Sequence, residues 1–350
     1  MGSSSRRALA GVAALALFAG AALPSPLLHP EERHLRNLRQ LTFGGENAEA
    51  YWSPDGARLI YQHSGEGVPC DQQYVMDVAT GKTRRVSTGG GKTTCGYFLE
   101  GGRRVLYAST HAAEAACPPR PDYSRGYVWP MYAGYDLFTA DVDGSNVKRL
   151  TDAPGYDAEA TLSPDGRTIV FTSVRDGDLE IYTMKADGTG LRRLTHEPGY
   201  DGGPFFSPDG KRIVYRRDAP ADADALARYR ERLAQGLYAP ATLEIWVMNR
   251  DGSRKRQVTR LGAASFAPYF HPDGRRIVFA SNHPDARSRN FDLYLVRDDG
   301  TGLERVTADP AFDGFPMFSP DGKRLVFASN RGATVRGETN LFVADWVESP

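Results

Sequence analysis

The chain has 350 residues, with 43 basic and 43 acidic side chains and a hydrophobic content of 41%. This charge balance produces no long-range field that would attract a polyanion, so we do not expect nucleic acid as a partner. The 37 glycines and 23 prolines, together with enough apolar residues for a core, favour many short strands joined by tight turns.

The N-terminus has the order of a secretory signal peptide. Arg6 and Arg7 precede an apolar run from Ala8 to Phe18, and small residues follow up to position 22. The run is shorter than the ~20 residues that a membrane-spanning helix needs, and no second such run follows. We therefore predict that residues 1–22 are a signal peptide, and that the mature protein is periplasmic or secreted, is a monomer and has no transmembrane segment.

The four-residue turn Ser-Pro-Asp-Gly recurs along the rest of the chain. Its proline presets φ at the second turn position and its glycine takes the positive φ that ends the turn, so each aspartate is interpreted as a turn former. Successive copies are 44 to 64 residues apart, which is the size of a four-stranded propeller blade. Four copies read SPDG, at Ser53–Gly56, Ser163–Gly166, Ser207–Gly210 and Ser319–Gly322. His271–Gly274 reads HPDG, and Leu99–Gly102 is a degenerate copy that reads LEGG. We predict an all-β, six-bladed β-propeller over residues 39–350, preceded by a short segment over residues 23–38.

The ring of blades is predicted to close through the N-terminus. Six copies of the third strand (c) of a blade occur, but only five fourth strands (d) follow them, and the chain ends soon after Trp346. The missing d strand is found at Arg39–Thr42, in the same register as Leu191–Thr195. This strand would complete the last blade and remove the free sheet edges.

Strand order divides the loops between two faces. The recurring a–b and c–d turns form the turn face, and the b–c loops and d–a links form the loop face. Both long insertions, residues 110–134 and 217–241, are b–c loops, where functional variation is expected. We predict a helix at Ala223–Gln235 in the second insertion, capped by Asp222.

The first insertion is rich in aromatic residues. Aromatic loop residues suit a peptide or glycan ligand, because they offer large contact areas at low entropic cost. The alternative is that they cap the propeller and bury themselves. The candidate ligand-binding residues here are Tyr123, Tyr127, Trp129 and Tyr132.

One residue per blade stands six positions before each turn, at the start of the innermost strand (a). We expect these residues to surround the mouth of the central channel and to bind a ligand. They are Asn47, Thr93, Asp157, Asp201, Ser265 and Asp313. The three carboxylates, Asp157, Asp201 and Asp313, could hold a divalent cation, and no other cofactor is expected. The alternative is that each side chain bonds the backbone of its own link.

The three cysteines, Cys70, Cys95 and Cys117, all map to the loop face between the first two blades. In an oxidising compartment one pair could form a disulfide and leave one thiol free. The sequence does not select the pair.

The repeat resembles that of the TolB-type, WD-repeat-like propellers. The shared segments are FSPDGK-x-IVF-x-S, DLY-x-x, DGTG and LRRLT, and they recur over residues 39–346. The resemblance implies a propeller face that binds a partner. In the Tol–Pal system the propeller binds the peptidoglycan-associated lipoprotein, while a separate N-terminal α/β domain engages the inner-membrane machinery. Only residues 23–38 precede the first strand here, so the resemblance does not extend to that domain.

We therefore expect a non-catalytic binding or scaffold protein of the cell envelope. Its loop face and channel mouth would recognise a protein, a peptide or an envelope polymer such as a glycan. The chain has no G-x-S-x-G elbow and no H-E-x-x-H motif, and no catalytic residue is assigned. The alternative is a metal-dependent propeller enzyme, a lyase or hydrolase, that acts in the central channel.

Overall fold

Six four-stranded antiparallel sheets form a closed ring in the computed structural model, which describes residues 27–124, 126–240 and 242–348. The predicted six-bladed β-propeller is confirmed. The predicted signal peptide lies outside the described residues. None of the helices in the described part is long and apolar enough to cross a membrane.

The blades follow one another along the chain, except that the first strand belongs to the last blade. That strand is β1 (Leu35–Gln40). Blade one contains β2 (Glu46–Trp52), β3 (Arg58–Gly65), β4 (Val68–Asp77) and β5 (Thr83–Arg85). Blade two contains β6 (Thr93–Leu99), β7 (Arg104–Ser109), β9 (Asp136–Asp141) and β10 (Lys148–Arg149), with β8 (Trp129–Pro130) in its insertion. Blade three contains β11 (Asp157–Leu162), β12 (Thr168–Ser173), β13 (Glu180–Lys185) and β14 (Arg192–Arg193).

Blade four contains β15 (Tyr200–Phe206), β16 (Arg212–Asp218), β18 (Glu244–Asn249) and β19 (Arg256–Gln257). Its insertion contains the helix α1 (Ala223–Ala234) and the strand β17 (Leu237–Tyr238). Blade five contains β20 (Ser265–Phe270), β21 (Arg276–Ser281), β22 (Asp292–Arg297) and β23 (Glu304–Arg305). Blade six contains β24 (Asp313–Phe318), β25 (Arg324–Ser329) and β26 (Asn340–Trp346), and β1 completes it.

The closure of the ring follows the predicted register. Arg39 pairs with Val343, and Gln40 pairs with Phe342 on the last strand of the chain. The strand begins earlier than predicted, because an irregularity after Arg36 allows Leu35 to continue the ladder opposite Trp346. Ring closure is therefore carried by backbone bonds between two segments about 300 residues apart in sequence.

The core lies between the blades. In β12 and β25 every residue after the first is buried, because each blade packs between two neighbours and the middle strands have no solvent-facing side. The turn motif stabilises itself locally, since the Ser53 hydroxyl donates to Asp55 at 2.5 Å and accepts from the Arg58 amide at 2.9 Å. The aspartates of these repeated turns are turn formers in the structure.

The two insertions are joined on the loop face. β8 and β17 form a two-stranded antiparallel sheet, in which Trp129 pairs with Tyr238. The predicted helix is present, and the Asp222 carboxylate accepts the Ala225 amide at 2.7 Å as its N-cap. A continuous structure therefore bridges blades two and four above the channel.

Candidate functional site: the loop face and the central channel

The six residues predicted at the channel mouth stand at the first or second position of the six innermost strands and are at most 2% exposed. Each one bonds within its own blade or to its neighbour's backbone. Asn47 bonds His63 at 2.9 Å, Ser265 bonds Ser281 at 3.0 Å, and Thr93 donates to the Asp71 carbonyl at 3.0 Å. These three side chains are therefore held by bonds inside their own blade or to the neighbouring blade.

The three aspartates of this set are each paired with an arginine of the same blade. Asp157 accepts from Arg175 at 2.7 Å, Asp201 accepts from Arg217 at 2.9 and 2.7 Å, and Asp313 accepts from Arg331 at 2.7 Å. The sequence pattern that identified the six residues did not identify these arginines.

Burial raises the pKa of the Asp313 carboxyl to about 6, although Arg331 lowers it. Within the described ranges no three His, Cys, Asp or Glu side chains are grouped so that they could hold a metal ion. In the structure each of the three aspartates therefore forms an ion pair inside its own blade, and the three pairs lie in three different blades.

A second ring, two residues further along each innermost strand, lines the channel. Each of its members has a left-handed backbone with φ between 50° and 59°, at an irregularity of the a–b pairing. The ring consists of Glu49, Cys95, Glu159, Gly203, Ala267 and Phe315. These residues also surround an internal cavity of about 20 Å³, which is room for roughly one water molecule. These positions can be found in the sequence by counting from each turn, but the residue types there do not indicate a left-handed backbone.

The charged part of the channel centres on Arg216. Its guanidinium pairs with Glu159, donates to the Tyr200 hydroxyl at 2.6 and 3.0 Å, and is 7% exposed. Glu159 also accepts the Gly203 amide at 2.9 Å and the Thr172 hydroxyl at 2.7 Å. Pairing with Glu159 and Tyr200 raises the pKa of Arg216 despite its burial, so this side chain stays charged.

Glu49 and Cys95 lie beside this pair. The Glu49 carboxylate accepts the Cys95 amide at 3.0 Å and forms no ion pair within the described part of the chain. Burial raises the pKa of Glu49, and burial together with the nearby Glu49 raises that of the Cys95 thiol well above its usual value. A neutral thiol is a poor nucleophile, so Cys95 is not activated for covalent chemistry.

An aromatic layer fills the channel on the turn-face side of this cluster. Tyr51 of blade one packs edge-on against Phe205 of blade four, with ring centroids 5.5 Å apart across the axis. Tyr97 and Tyr269 pack against the same Phe205 at 6.3 and 5.4 Å. The channel is therefore plugged at this level.

The loop-face side is covered by the joined insertions. Trp129 lies over the Arg216 guanidinium at 4.8 Å and packs against Tyr200, Tyr238 and Phe266 at 5.6 to 6.4 Å. The helix α1 is attached to blade three through the Tyr229 hydroxyl, which bonds Asp178 at 2.5 Å. Trp129 and the helix therefore close the channel rather than present a surface.

The four predicted aromatic residues divide into two pairs. Tyr132 is half-buried and donates to the Pro119 carbonyl at 2.8 Å, so it packs inward like Trp129. Tyr123 and Tyr127 stack on each other with centroids 6.0 Å apart and are 48% and 67% exposed. Only this second pair is available to a partner.

Two further exposed apolar residues stand on the same face. Phe43, on the link before β2, is 79% exposed, and Val335, in the b–c loop of blade six, is 67% exposed. The loops are linked, since Arg120 reaches Glu46 at 3.9 Å and the Gly44 amide donates to Glu338 at 3.1 Å. We call Phe43, Tyr123, Tyr127 and Val335 the apolar patch. Phe43 and Val335 were not predicted from the sequence, because an isolated apolar loop residue belongs to no pattern.

The structure selects the disulfide as Cys70–Cys117, with Cα atoms 5.9 Å apart, and leaves Cys95 free and buried. Cys70 is a buried residue near the start of β4, and Cys117 is in the first insertion. The bond therefore fastens the base of the insertion that carries Tyr123 and Tyr127 to blade one.

Comparisons with known proteins agree with this architecture. A family model for the TolB beta propeller domain matches residues 225–346, and one for the N-terminal beta propeller domain of tricorn protease matches residues 119–231. The Tol-Pal system protein TolB of Bordetella pertussis is 31% identical over 130 residues, which are 37% of this chain and 25% of that protein. A TolB homolog of Chlorobium chlorochromatii is 29% identical over 140 residues, 40% of this chain and 26% of that protein. The matched part thus spans about a quarter of these relatives.

Solved structures show the same fold at lower identity. A putative TolB from Agrobacterium tumefaciens superimposes with a TM-score of 0.58 at 20% identity, over 89% of this chain and 94% of that chain. An oligogalacturonate lyase from Vibrio parahaemolyticus superimposes with a TM-score of 0.54 at 14% identity, over the same shares of the two chains. The two family models together match residues 119–346, and residues 225–346 are similar to the TolB beta propeller domain. The solved structures show that the fold is a β-propeller like theirs.

Proposed function

We propose that this protein is an exported, non-catalytic propeller that binds a protein partner through the apolar patch on its loop face. The observation that carries the proposal is the distribution of exposed apolar side chains. The four most exposed of them within the described residues all belong to this patch, while Val147, Leu191 and Leu303, on the turn face, are less exposed at 39% to 46%. Apolar groups that remain in water on one face of a monomer are typical of an interaction site.

The composition of the patch favours a protein over a glycan. Phe43 and Val335 carry no hydrogen-bonding group, whereas a sugar surface requires polar contacts beside its aromatic platforms. Tyr123 and Tyr127 supply large, rigid contact areas of the kind that dominate protein interfaces. The TolB relatives belong to the Tol-Pal system by name, and a protein-binding envelope role is consistent with that kinship.

The patch is held in place by the fold. The Cys70–Cys117 disulfide fastens one end of the insertion, and the β8–β17 sheet fastens the other end. A preorganised loop loses less conformational entropy when it binds, which raises affinity without further contacts.

The test is a comparison of two matched double variants. Tyr123→Ser/Tyr127→Ser removes the centre of the patch, and Leu191→Ser/Leu303→Ser removes two exposed apolar residues of the turn face. Immobilised mature protein is incubated with the envelope fraction of the source organism, and the affinity of any retained partner is then measured with purified components. We expect the patch variant to weaken binding at least tenfold, while the control variant binds as the wild type does.

Two results would contradict this proposal. Equal binding by both variants would mean that the patch is not the interface. If the protein binds isolated peptidoglycan and only the patch variant loses this binding, the ligand of the patch is an envelope polymer and not a protein.

The alternative of a metal-dependent lyase or hydrolase in the channel finds support in the fold of the lyase structure alone. The channel is plugged by Tyr51, Tyr97, Phe205 and Tyr269 and covered by Trp129, and the cavity between them is smaller than one sugar unit. Turnover in that channel would require both layers to move.

A further inference from the structure

A repeated arginine closes the crevices between blades on the turn face. The first residue of the b strand is an arginine in five blades, namely Arg58, Arg104, Arg212, Arg276 and Arg324. Arg58, Arg212 and Arg324 each donate to a glycine carbonyl of the next blade, at 2.9, 2.6 and 2.7 Å. Arg276 reaches Glu348 at 2.6 Å, while Arg104 bonds within its own blade. Four of the five side chains therefore bridge to the next blade.

Blade three departs from this pattern, because its b strand begins with Thr168. The threonine is too short to span the crevice, and Arg250 of blade four reaches back instead. Its guanidinium donates to the Thr168 hydroxyl at 2.7 Å and to Asp165 at 3.1 Å. The crevice between blades three and four remains open as a groove of about 650 Å³.

Both walls of the groove are basic. Lys185 and Arg192 line the blade-three wall, and Lys211 and Arg250 line the blade-four wall. Of these four cations, only Arg250 forms a salt bridge with a carboxylate in the part of the chain that the structure describes. Arg192 donates to a backbone carbonyl, that of Asp251, at 2.9 Å.

The two acidic residues of the lining are engaged by their own turns. Asp209 accepts from Ser207 at 2.6 Å and from the Lys211 amide at 3.1 Å. Asp251 accepts from the Ser253 amide at 3.0 Å and from its hydroxyl at 2.6 Å. With four cations and two anions, the lining carries a net charge of about +2, and neutral donors such as Thr183 and Asn249 stand between the charges.

We propose that this groove binds a small oligoanion, a ligand with two or more phosphate or carboxylate groups. Two cations on each wall repel one another across the groove, and a bridging anion would relieve that repulsion while pairing with both walls. The volume falls in the range of about 300–1,000 Å³ that is typical of small-ligand sites. The groove is on the turn face, so this site is independent of the apolar patch on the opposite face.

The test uses pyrophosphate and citrate as probes, titrated calorimetrically at low ionic strength with sodium chloride added to equal ionic strength as the reference. In the first variant, Thr168→Arg, blade three regains the residue found in the other five blades, and its guanidinium would fill the groove and reach the Gly210 carbonyl. In the second, Lys185→Gln/Lys211→Gln, one cation is removed from each wall. The matched control is Lys82→Gln/Lys323→Gln, which has the same charge change on turn-face lysines of blades one and six.

We expect saturable binding of at least one probe by the wild type and the control, and a loss of at least tenfold in affinity in both groove variants. Stronger binding of pyrophosphate would identify phosphate as the ligand group, and stronger binding of citrate would identify carboxylate. The unfolding midpoint of each variant without ligand shows whether it is folded. If the midpoint of Thr168→Arg equals that of the wild type, its loss of binding cannot be attributed to unfolding.

The proposal is overturned if neither probe binds saturably, or if the groove variants bind as the wild type does. It is also overturned if the control variant loses as much affinity as the groove variants, since that result would reduce binding to net charge.

Discussion

Replacing Arg216 with methionine would remove the only cation that forms an ion pair with Glu159 among the residues that the structure describes. The substitution keeps the apolar stem in contact with Trp129 and Tyr200, so the main loss is the charge. Glu159 would retain its bonds from Tyr200, Thr172 and Gly203, but its negative charge would be enclosed without a counterion.

Breaking a buried ion pair by removing one partner typically costs about 3–5 kcal/mol, because an uncompensated charge remains in a poorly polarisable environment. We expect a loss of this size for Arg216→Met. The double variant Glu159→Gln/Arg216→Met removes both charges, and we expect it to recover at least half of the loss. The control is Arg103→Met, which breaks an exposed pair with Glu100 and should cost less than about 1 kcal/mol.

The assay is equilibrium unfolding in urea at pH 7, followed by the fluorescence of the four tryptophans. The slope of the free energy against urea concentration should not change between variants, so that the shift in midpoint reports stability. A loss below about 1 kcal/mol for Arg216→Met would refute the reasoning. So would a double variant that is as unstable as the single one.

Three further outcomes are expected. Burial raises the pKa of Glu49, so this carboxyl binds a proton more tightly in the folded protein than in the unfolded chain. The protonated carboxyl therefore stabilises the fold, and this stabilisation is lost as the pH rises from about 4.5 through the folded pKa. The free energy of unfolding of Glu49→Gln relative to the wild type should therefore rise between pH 4 and pH 7, by about 1.4 kcal/mol for each unit of the pKa shift. Urea titrations at the two pH values measure this difference, and a difference that does not depend on pH would contradict the expectation. Replacing Cys70 with serine should cost up to about 4 kcal/mol, from the loop of 47 residues that the disulfide closes, and an unchanged urea midpoint would oppose that expectation. Chelation of divalent metals should leave the midpoint of thermal unfolding unchanged, because Asp157, Asp201 and Asp313 are paired with arginines. A stoichiometric ion whose removal lowers that midpoint would instead support the hypothesis of an enzyme in the channel.

Much of the fold was predictable because its determinants are local. Each turn is built from four consecutive residues, so its position can be recognised directly in the sequence. The role of its aspartate can be recognised in the same way, as the bond between Ser53 and Asp55 shows. The closing strand was recognised for the same reason, since its apolar and basic pattern repeats that of the other d strands. The helix in the second insertion follows from its composition and from the capping residue Asp222.

The candidate sites depended on contacts between distant segments, which no local pattern encodes. The sequence identified the aromatic insertion, but only the pairing of Trp129 with Tyr238 decided which aromatic residues are buried and which are exposed. The partner of Cys70 was decided in the same way, by the path of an insertion over blade one.

Counting back from each turn gave one residue per blade at the channel mouth. The residues that line the channel stand two positions further along, where each innermost strand has a positive φ. The arginines that neutralise Asp157, Asp201 and Asp313 lie in the adjacent strand of each blade or just after it, and the pairing was visible only in three dimensions. By itself, the sequence determined the number of blades, their closure and their turns, because these features repeat along the chain. The tertiary structure decided which side chains meet, because the curvature of the ring brings together residues that no sequence spacing relates.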